Sequence, residues 1–325
     1  MHIFVTGGAG YIGSAVATQL LAAGHQVTIY DSLVTGHRAA LPAAAHFIQA
    51  DLADRSALQA ALAAQPYEAV LHFAGFIEAG ESMQNPGKYF DNNVSASFAL
   101  LQAAQQAGVK RFVFSSTAAV YRSSDTPLSE ASPLGPENAY GQTKLMVEEA
   151  LEWYRRAHGM HFAALRYFNA AGAMPGHGEG HQPESHLIPL ILQVALGQRE
   201  QIAIYGEDYA TPDGTCIRDY IHLQDLAAAH LLALDALGAR DRMIYNIGSG
   251  EGFSVRQVIE MARQVTGHPI PAIDSPRRPG DAARLVASPA LIQSELGWKA
   301  VHSSLESIVG SAWAWHQSHP HGYEE

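Results

Sequence analysis

The run Gly7-Gly8-Ala9-Gly10-Tyr11-Ile12-Gly13 constrains this chain more than any other stretch, because it joins a short apolar segment, Ile3–Thr6, to a helical pattern, Ser14–Ala23. Glycine at positions 7, 10 and 13 permits a tight turn, close approach of the backbone to a ligand, and close packing of helix on strand. The helix that follows offers unpaired N–H groups and its positive dipole end to a pyrophosphate. Asp31 closes the next apolar segment, Val27–Tyr30, where a carboxylate accepts hydrogen bonds from a ribose 2′-hydroxyl and repels a 2′-phosphate. The pattern predicts a dinucleotide site that takes NAD rather than NADP, built from Gly7, Gly10, Tyr11, Ile12, Gly13 and Asp31. Asp51 and Leu52, just after the third apolar segment, are expected near the adenine, with a simple turn as the other reading of Asp51.

The alternation continues through the first half. Strands are expected at Ile3–Thr6, Val27–Tyr30, His46–Ala50, Ala69–Phe73, Phe112–Ser115 and Phe162–Arg166, with helices at Ser14–Ala23, Ser56–Ala64, Pro86–Ala107 and Ala139–His158. Strands alternating with helices of that length imply parallel pairing, hence an α/β fold with a Rossmann-type doubly wound sheet. Past Asn169 the pattern changes. Met174–Glu184 is rich in Gly, His and Pro and has no period, so it reads as a loop. Helices are expected at Leu187–Leu196, Leu223–Leu237, Ser254–Thr266, Pro289–Leu296 and Leu305–His316. The expected organisation is an NAD-binding domain over 1–170, to which about 215–245 returns, and a smaller mixed α/β substrate domain over 171–325.

Composition narrows the functional classes. The chain has 325 residues, 47% hydrophobic, with a formal net charge of −11, which opposes binding to a nucleic-acid backbone. The single cysteine, Cys216, excludes an intrachain disulfide and a cysteine-based zinc site. The tail histidines His316, His319 and His321 are expected on the solvated surface, and no metal is expected. No apolar run approaches the roughly 20 residues that span a bilayer, and the N-terminus opens on a strand without a signal-peptide pattern, so no membrane partner and a cytoplasmic location are expected.

Tyr140-Gly141-Gln142-Thr143-Lys144 begins a helix, and residues four apart share a helix face. A tyrosine titrates near pH ~10 and is a poor base at neutrality. A neighbouring lysine charge and the positive nicotinamide of oxidised NAD are expected to favour its phenolate. Such a base removes a hydroxyl proton while hydride leaves the same carbon. The strand before it ends in Ser115-Ser116-Thr117, and ligands collect at the C-terminal ends of strands in such sheets. Thr117 is the expected proton relay; backbone capping is the simpler role for Ser115.

Gly7–Gly13, Asn92-Asn93-Val94, Ser115–Tyr121, Tyr140–Lys144 and Arg166-Tyr167-Phe168-Asn169 together resemble the extended short-chain dehydrogenase/reductase family, and within it the UDP-glucose 4-epimerases. The resemblance continues through Leu187-Ile188-Pro189, Ala203–Gly206, Asp213–His222 and Arg278-Pro279-Gly280-Asp281. It implies transient oxidation at C4 of a UDP-sugar by tightly held NAD, with Tyr140, Lys144 and Thr117 catalytic. It also implies that Phe73, Ala74, Gly75, Asn92, Ser115 and Tyr167 line the cofactor. Thr117, Asn169, His186, Leu187, Ala203, Tyr205, Arg218, Arg278, Asp281 and Leu285 are then expected at the substrate, the arginines because a planar guanidinium suits bidentate phosphate binding. Leu285 stands at a position thought to gate sugar size, which suggests room for an N-acetyl group. A 4,6-dehydratase would need carboxylates directly after the relay residue; here Ala118-Ala119 follow. Apolar stretches in Phe98–Ala107 and Leu145–Tyr154 suggest a homodimer interface.

Overall fold

The computed structural model describes residues 1–278 and 281–324; Pro279 and Gly280 of the Arg278–Asp281 motif lie outside the described residues. Six strands, β1 (His2–Thr6), β2 (Gln26–Asp31), β3 (His46–Gln49), β4 (Ala69–His72), β5 (Arg111–Thr117) and β6 (His161–Tyr167), fall where the apolar segments predict. Between them run α1 (Tyr11–Ala22), α2 (Arg55–Ala63), the short α3 (Ala79–Gln84) and α4 (Pro86–Tyr89), α5 (Ala96–Gln106) and α6 (Ala139–His158). The expected helix over 86–107 is interrupted: Phe90–Ser95 forms a π turn between α4 and α5.

The second half adds β7 (Asn169–Ala171), α7 (Leu187–Ala195), β8 (Ile202–Tyr205), β9 (Ile217–His222), α8 (Leu223–Ala236), β10 (Arg242–Ile247), β11 (Gly252–Ser254) and α9 (Val255–Thr266). It closes with β12 (Ala272–Ser275), β13 (Arg284–Leu285), α10 (Ala290–Leu296) and α11 (Leu305–Ser318). The principal sheet is parallel throughout, in the order β10-β6-β5-β4-β1-β2-β3. The direction of winding reverses between β1 and β4, and the crevice at such a reversal is where doubly wound sheets bind ligands.

Alternate residues of each strand enter opposite cores. Ile3 and Val5 join Val16 and Leu20 of α1 and Leu226 of α8, whereas Phe4 joins Leu58 of α2, Leu100 of α5 and Leu151 of α6. Both faces are covered, so the strands read as nearly continuous apolar runs rather than alternating ones. Of the stretch 215–245, β9 belongs to a second sheet with β7, β11 and β13, whereas α8 packs on α1 and β10 extends the first sheet beside β6. A third core joins α7, α9 and α11. His316 departs from expectation: it is buried, because the buried stripe of α11 repeats through Leu305, Ile308, Val309, Ala312 and Trp315 and reaches it. His319 stacks on Trp315 at 3.7 Å, leaving His321 as the exposed member of the tail group.

Candidate active site

The glycine run does what its spacing requires. Gly7 has φ +71°, and a Cβ there would lie 2.4 Å from the Ala74 nitrogen; a Cβ on Gly13 would lie 2.1 Å from the Gly7 carbonyl oxygen. The Gly7 turn is thus pressed against Phe73-Ala74-Gly75 at the end of β4, across the winding reversal. Gly10 caps α1 without any side-chain bond, so the helix entrance stays open for an anion. Asp31 is buried and holds this loop: Oδ2 accepts from the Ala9 amide at 3.0 Å and Oδ1 from the Leu33 amide at 2.8 Å. Burial raises its carboxyl, with those amides opposing. This cradle, closed to any larger side chain, fits a dinucleotide pyrophosphate with Asp31 at the ribose.

The other expected cofactor residues sort less evenly. Ile12, in the first turn of α1, packs on the core, and the Tyr11 hydroxyl donates to the Gly172 carbonyl at 2.6 Å. Asp51 is exposed and accepts from the Ala53 amide at 2.8 Å, the simple turn reading, while Leu52 packs on the core beneath. In the π turn, Asn93 rather than Asn92 carries the structural bonds. Its Oδ1 accepts from the Phe76 amide and from Asn92 Nδ2, both at 2.9 Å, and its Nδ2 donates to the Phe76 carbonyl. The extra residue of a π turn rotates Asn93 inward, which a regular helical period does not foresee.

Thr117, Tyr140 and Lys144 meet at the end of β5. Asn138 caps α6 through the Gly141 amide at 2.8 Å, and Gly141 has no room for a side chain, since its Cβ would stand 2.2 Å from the Ala119 carbonyl oxygen. That close approach carries Tyr140 to Thr117. The Thr117 hydroxyl accepts from the Ala119 amide at 3.1 Å, which leaves its proton free to donate. Burial pushes the Tyr140 phenol up to about 12, Thr117 pulling it down and Glu78 adding to the rise. Lys144 stands close by on the same helix face. Its Nζ donates to the Ser115 carbonyl at 2.8 Å, lies 6.0 Å from the centre of the Tyr140 ring, and is itself lowered to about 8 by burial. The ammonium thus stands near the Tyr140 ring, held in place by the Ser115 carbonyl. Ser115 supplies this backbone acceptor, and its hydroxyl lies by the buried Tyr167, which also bonds His230.

Beneath Thr117 lies a buried network that the sequence reading did not anticipate. Arg166 grips Glu148 with two bonds, at 3.0 and 2.6 Å, and donates to the Tyr121 hydroxyl at 2.7 Å. Ser116 donates to the same glutamate, and Tyr121 donates to Asn246 on β10. Charges this deep are stable only when paired, and the network ties β5, β6, α6 and β10 into one support.

A cavity of about 340 Å³ opens beside the second sheet, within the range of small-molecule sites. Asn169, His186, Leu187, Ala203, Tyr205, Arg218, Arg278 and Asp281 all line it. Arg218 Nη1 donates to the Ile217 and Ala282 carbonyls at 3.0 and 2.8 Å, and Nη2 stands 3.5 Å from Asp281. Arg278 bonds the other oxygen of Asp281 at 2.9 Å and covers the Tyr205 ring. Two guanidinium groups thus converge on one carboxylate at the cavity wall. Asn169 donates to the Asp219 carbonyl at 2.8 Å. Leu285 lies elsewhere, packed on the cluster of Ala118, Tyr121 and Phe168. Arg199, Gln201 and Glu179 also line the cavity and were not foreseen; they stand outside the motifs, and only the fold brings them in.

The parallel sheet, the glycine turn at its reversal and the Thr117/Tyr140/Lys144 group define a dinucleotide-dependent enzyme acting on a hydroxyl carbon. Residues 3–248 match the NAD dependent epimerase/dehydratase family, and the chain belongs to it. It is 50% identical over 327 residues to a UDP-glucose 4-epimerase of Halalkalibacterium halodurans, covering 99% of this chain and 98% of that one. A crystal structure of a UDP-glucose 4-epimerase superposes with a TM-score of 0.97 at 46% identity, covering 100% of both chains. The Brucella ovis UDP-glucose 4-epimerase, solved with NAD, gives 0.92 at 40%, covering 96% of this chain and 97% of that one. No helix among the described residues is long and apolar enough to cross a membrane.

Proposed function

We propose that this chain is an isomerase that epimerises C4 of a UDP-hexose, interconverting UDP-glucose and UDP-galactose with tightly held NAD. The observation that carries this reading is the meeting of Thr117, Tyr140 and Lys144 at the end of β5, beside the open entrance of α1. NAD, when bound, supplies the hydride acceptor at C4 and later the donor. Tyr140 takes the 4-hydroxyl proton, relayed by Thr117, and returns it after the 4-keto sugar has turned over in the site. Lys144 holds the end of β5 through the Ser115 carbonyl and adds positive charge near the phenol. Arg218 and Arg278 exchange Asp281 for the diphosphate, anchoring the nucleotide while the sugar rotates. No redox equivalent is consumed, and elimination has no carboxylate next to Thr117.

Leu285, packed on the Ala118 cluster, favours a sugar site that also accepts a 2-acetamido group. Phe98 on α5 and Trp153 on α6 are 38% and 66% exposed on adjoining helices, which supports a homodimer formed through those faces. Purified protein incubated with UDP-glucose or UDP-N-acetylglucosamine, without added NAD, should yield the matching 4-epimer of each on chromatography, with no growth of NADH absorbance. Stoichiometric NADH accumulation would instead assign a dehydrogenase.

A further inference from the structure

Met174–Glu184 reads as an aperiodic loop, and the chain folds it, with the following Ser185 and His186, so that Glu179, His181, Glu184 and His186 each present one ligand atom within 4.8 Å of the others. None of the four takes part in the proton chemistry above. His186 Nδ1 lies 2.7 Å from Glu179 and 3.3 Å from Glu184, and His181 Nδ1 lies 3.2 Å from Glu179. Both Nδ1 atoms are buried within ion-pair distance of Glu179, yet neither makes a well-directed hydrogen bond within the described residues. Two imidazoles crowding one buried carboxylate, with a second carboxylate alongside, are also placed as donors around a common centre. A centre with bonds of about 2.0–2.2 Å separates its tetrahedral ligands by roughly 3.4 Å, close to two of the three contacts observed.

We propose that Glu179, His181, Glu184 and His186 bind a divalent transition-metal ion of the zinc class. Two imidazoles and two carboxylates suit zinc, cobalt or nickel better than magnesium or calcium, which prefer oxygen alone. The outer groups support it: Glu184 Oε1 is oriented by the Ser185 and His186 amides, both at 2.8 Å, and Ser185 Oγ donates to Glu78 at 2.7 Å. The position gives the ion a structural task. Tyr11, in the glycine run, faces the His181 ring edge-on at 6.2 Å, while Glu179 and His186 line the nucleotide-sugar cavity. The ion clamps segment 174–186 between the cofactor loop and the substrate cavity, and His186 passes that clamp to the start of α7.

The test is metal content. Tag-free protein with its NAD, stripped by a chelator, is equilibrated with zinc or cobalt chloride, desalted and measured by plasma mass spectrometry. The expected result is one equivalent per chain, visible ligand-field absorption with cobalt, and a higher melting temperature. His181→Ala and, separately, Glu184→Gln should each weaken retention by about tenfold or more, with bound NAD reporting that each variant has folded. His319→Ala/His321→Ala should retain the ion. Wild-type protein that keeps no metal, variants that keep it as well as wild type, or loss confined to the tail variant would each overturn the assignment.

Discussion

Burial raises the Tyr140 phenol to about 12 with Thr117 as the neighbour that draws it down, so a positive charge beside it favours the base form. Removing the hydroxyl in Tyr140→Phe should cut turnover by about 10²–10⁴-fold while leaving bound NAD, measured after denaturation, at the wild-type level. Wild-type turnover in that variant would remove Tyr140 from the base role. Asp219 makes a second prediction at this scale. Its carboxylate is fully buried and accepts from the Ser249 amide and hydroxyl and from the Gly250 and Ala287 amides, yet burial still raises it to about 6 from 3.8. The folded chain therefore holds this proton to higher pH than the unfolded one, so the group's contribution to stability is complete below about pH 4 and falls as pH rises through about 6. Asp219→Asn turns an acceptor into a donor facing amides and should destabilise by about 1–3 kcal/mol. Its deficit against wild type, followed by urea denaturation, should narrow between those pH values; a deficit that widens would contradict the raised carboxyl.

At the scale of elements, the site depends on α6 lying hard against the end of β5. The Gly141→Ala methyl would meet the Ala119 carbonyl, so the helix must shift. A loss of about 1–3 kcal/mol in urea denaturation is expected, with a fall in turnover of about 10²-fold for a displacement near 1 Å. A variant with normal turnover would show that the contact can relax. In the first half β1 to β6 were legible as apolar runs bounded by turns, and α6 to the residue because it keeps its period, whereas the helix expected over 86–107 is broken by a π turn. The later strands were not legible. β7, β11 and β13 span two or three residues, and their pairing partners lie far off in the chain. Likewise the site residues with a fixed local spacing, from Gly7 to Gly13 and from Tyr140 to Lys144, could be read directly. Asn93, Arg199 and the buried pair of Glu148 and Arg166 needed the fold, because their partners are set by tertiary approach. Lys144 could be placed near Tyr140 from their shared helix face, whereas its bond to the Ser115 carbonyl needed the fold.

At the scale of the whole molecule, Phe98 and Trp153 leave an apolar face on α5 and α6, on the side of the sheet away from α1 and α8. If two copies meet there, Trp153→Glu should shift the protein toward monomer in sedimentation velocity, with the NAD site intact; an unchanged sedimentation coefficient would send the interface elsewhere. The order of the principal sheet has a consequence of its own. Strand β6 receives its outer neighbour, β10, only after the chain has made β7, β8, β9 and α8, so a nascent chain emerging from the ribosome carries an open sheet edge through that interval. Cutting the gene into two contiguous halves would separate β10 from the sheet it completes, and neither piece would inherit a finished nucleotide-binding module. The two halves of this enzyme are stitched together, and they can be borrowed, swapped or shortened only as one.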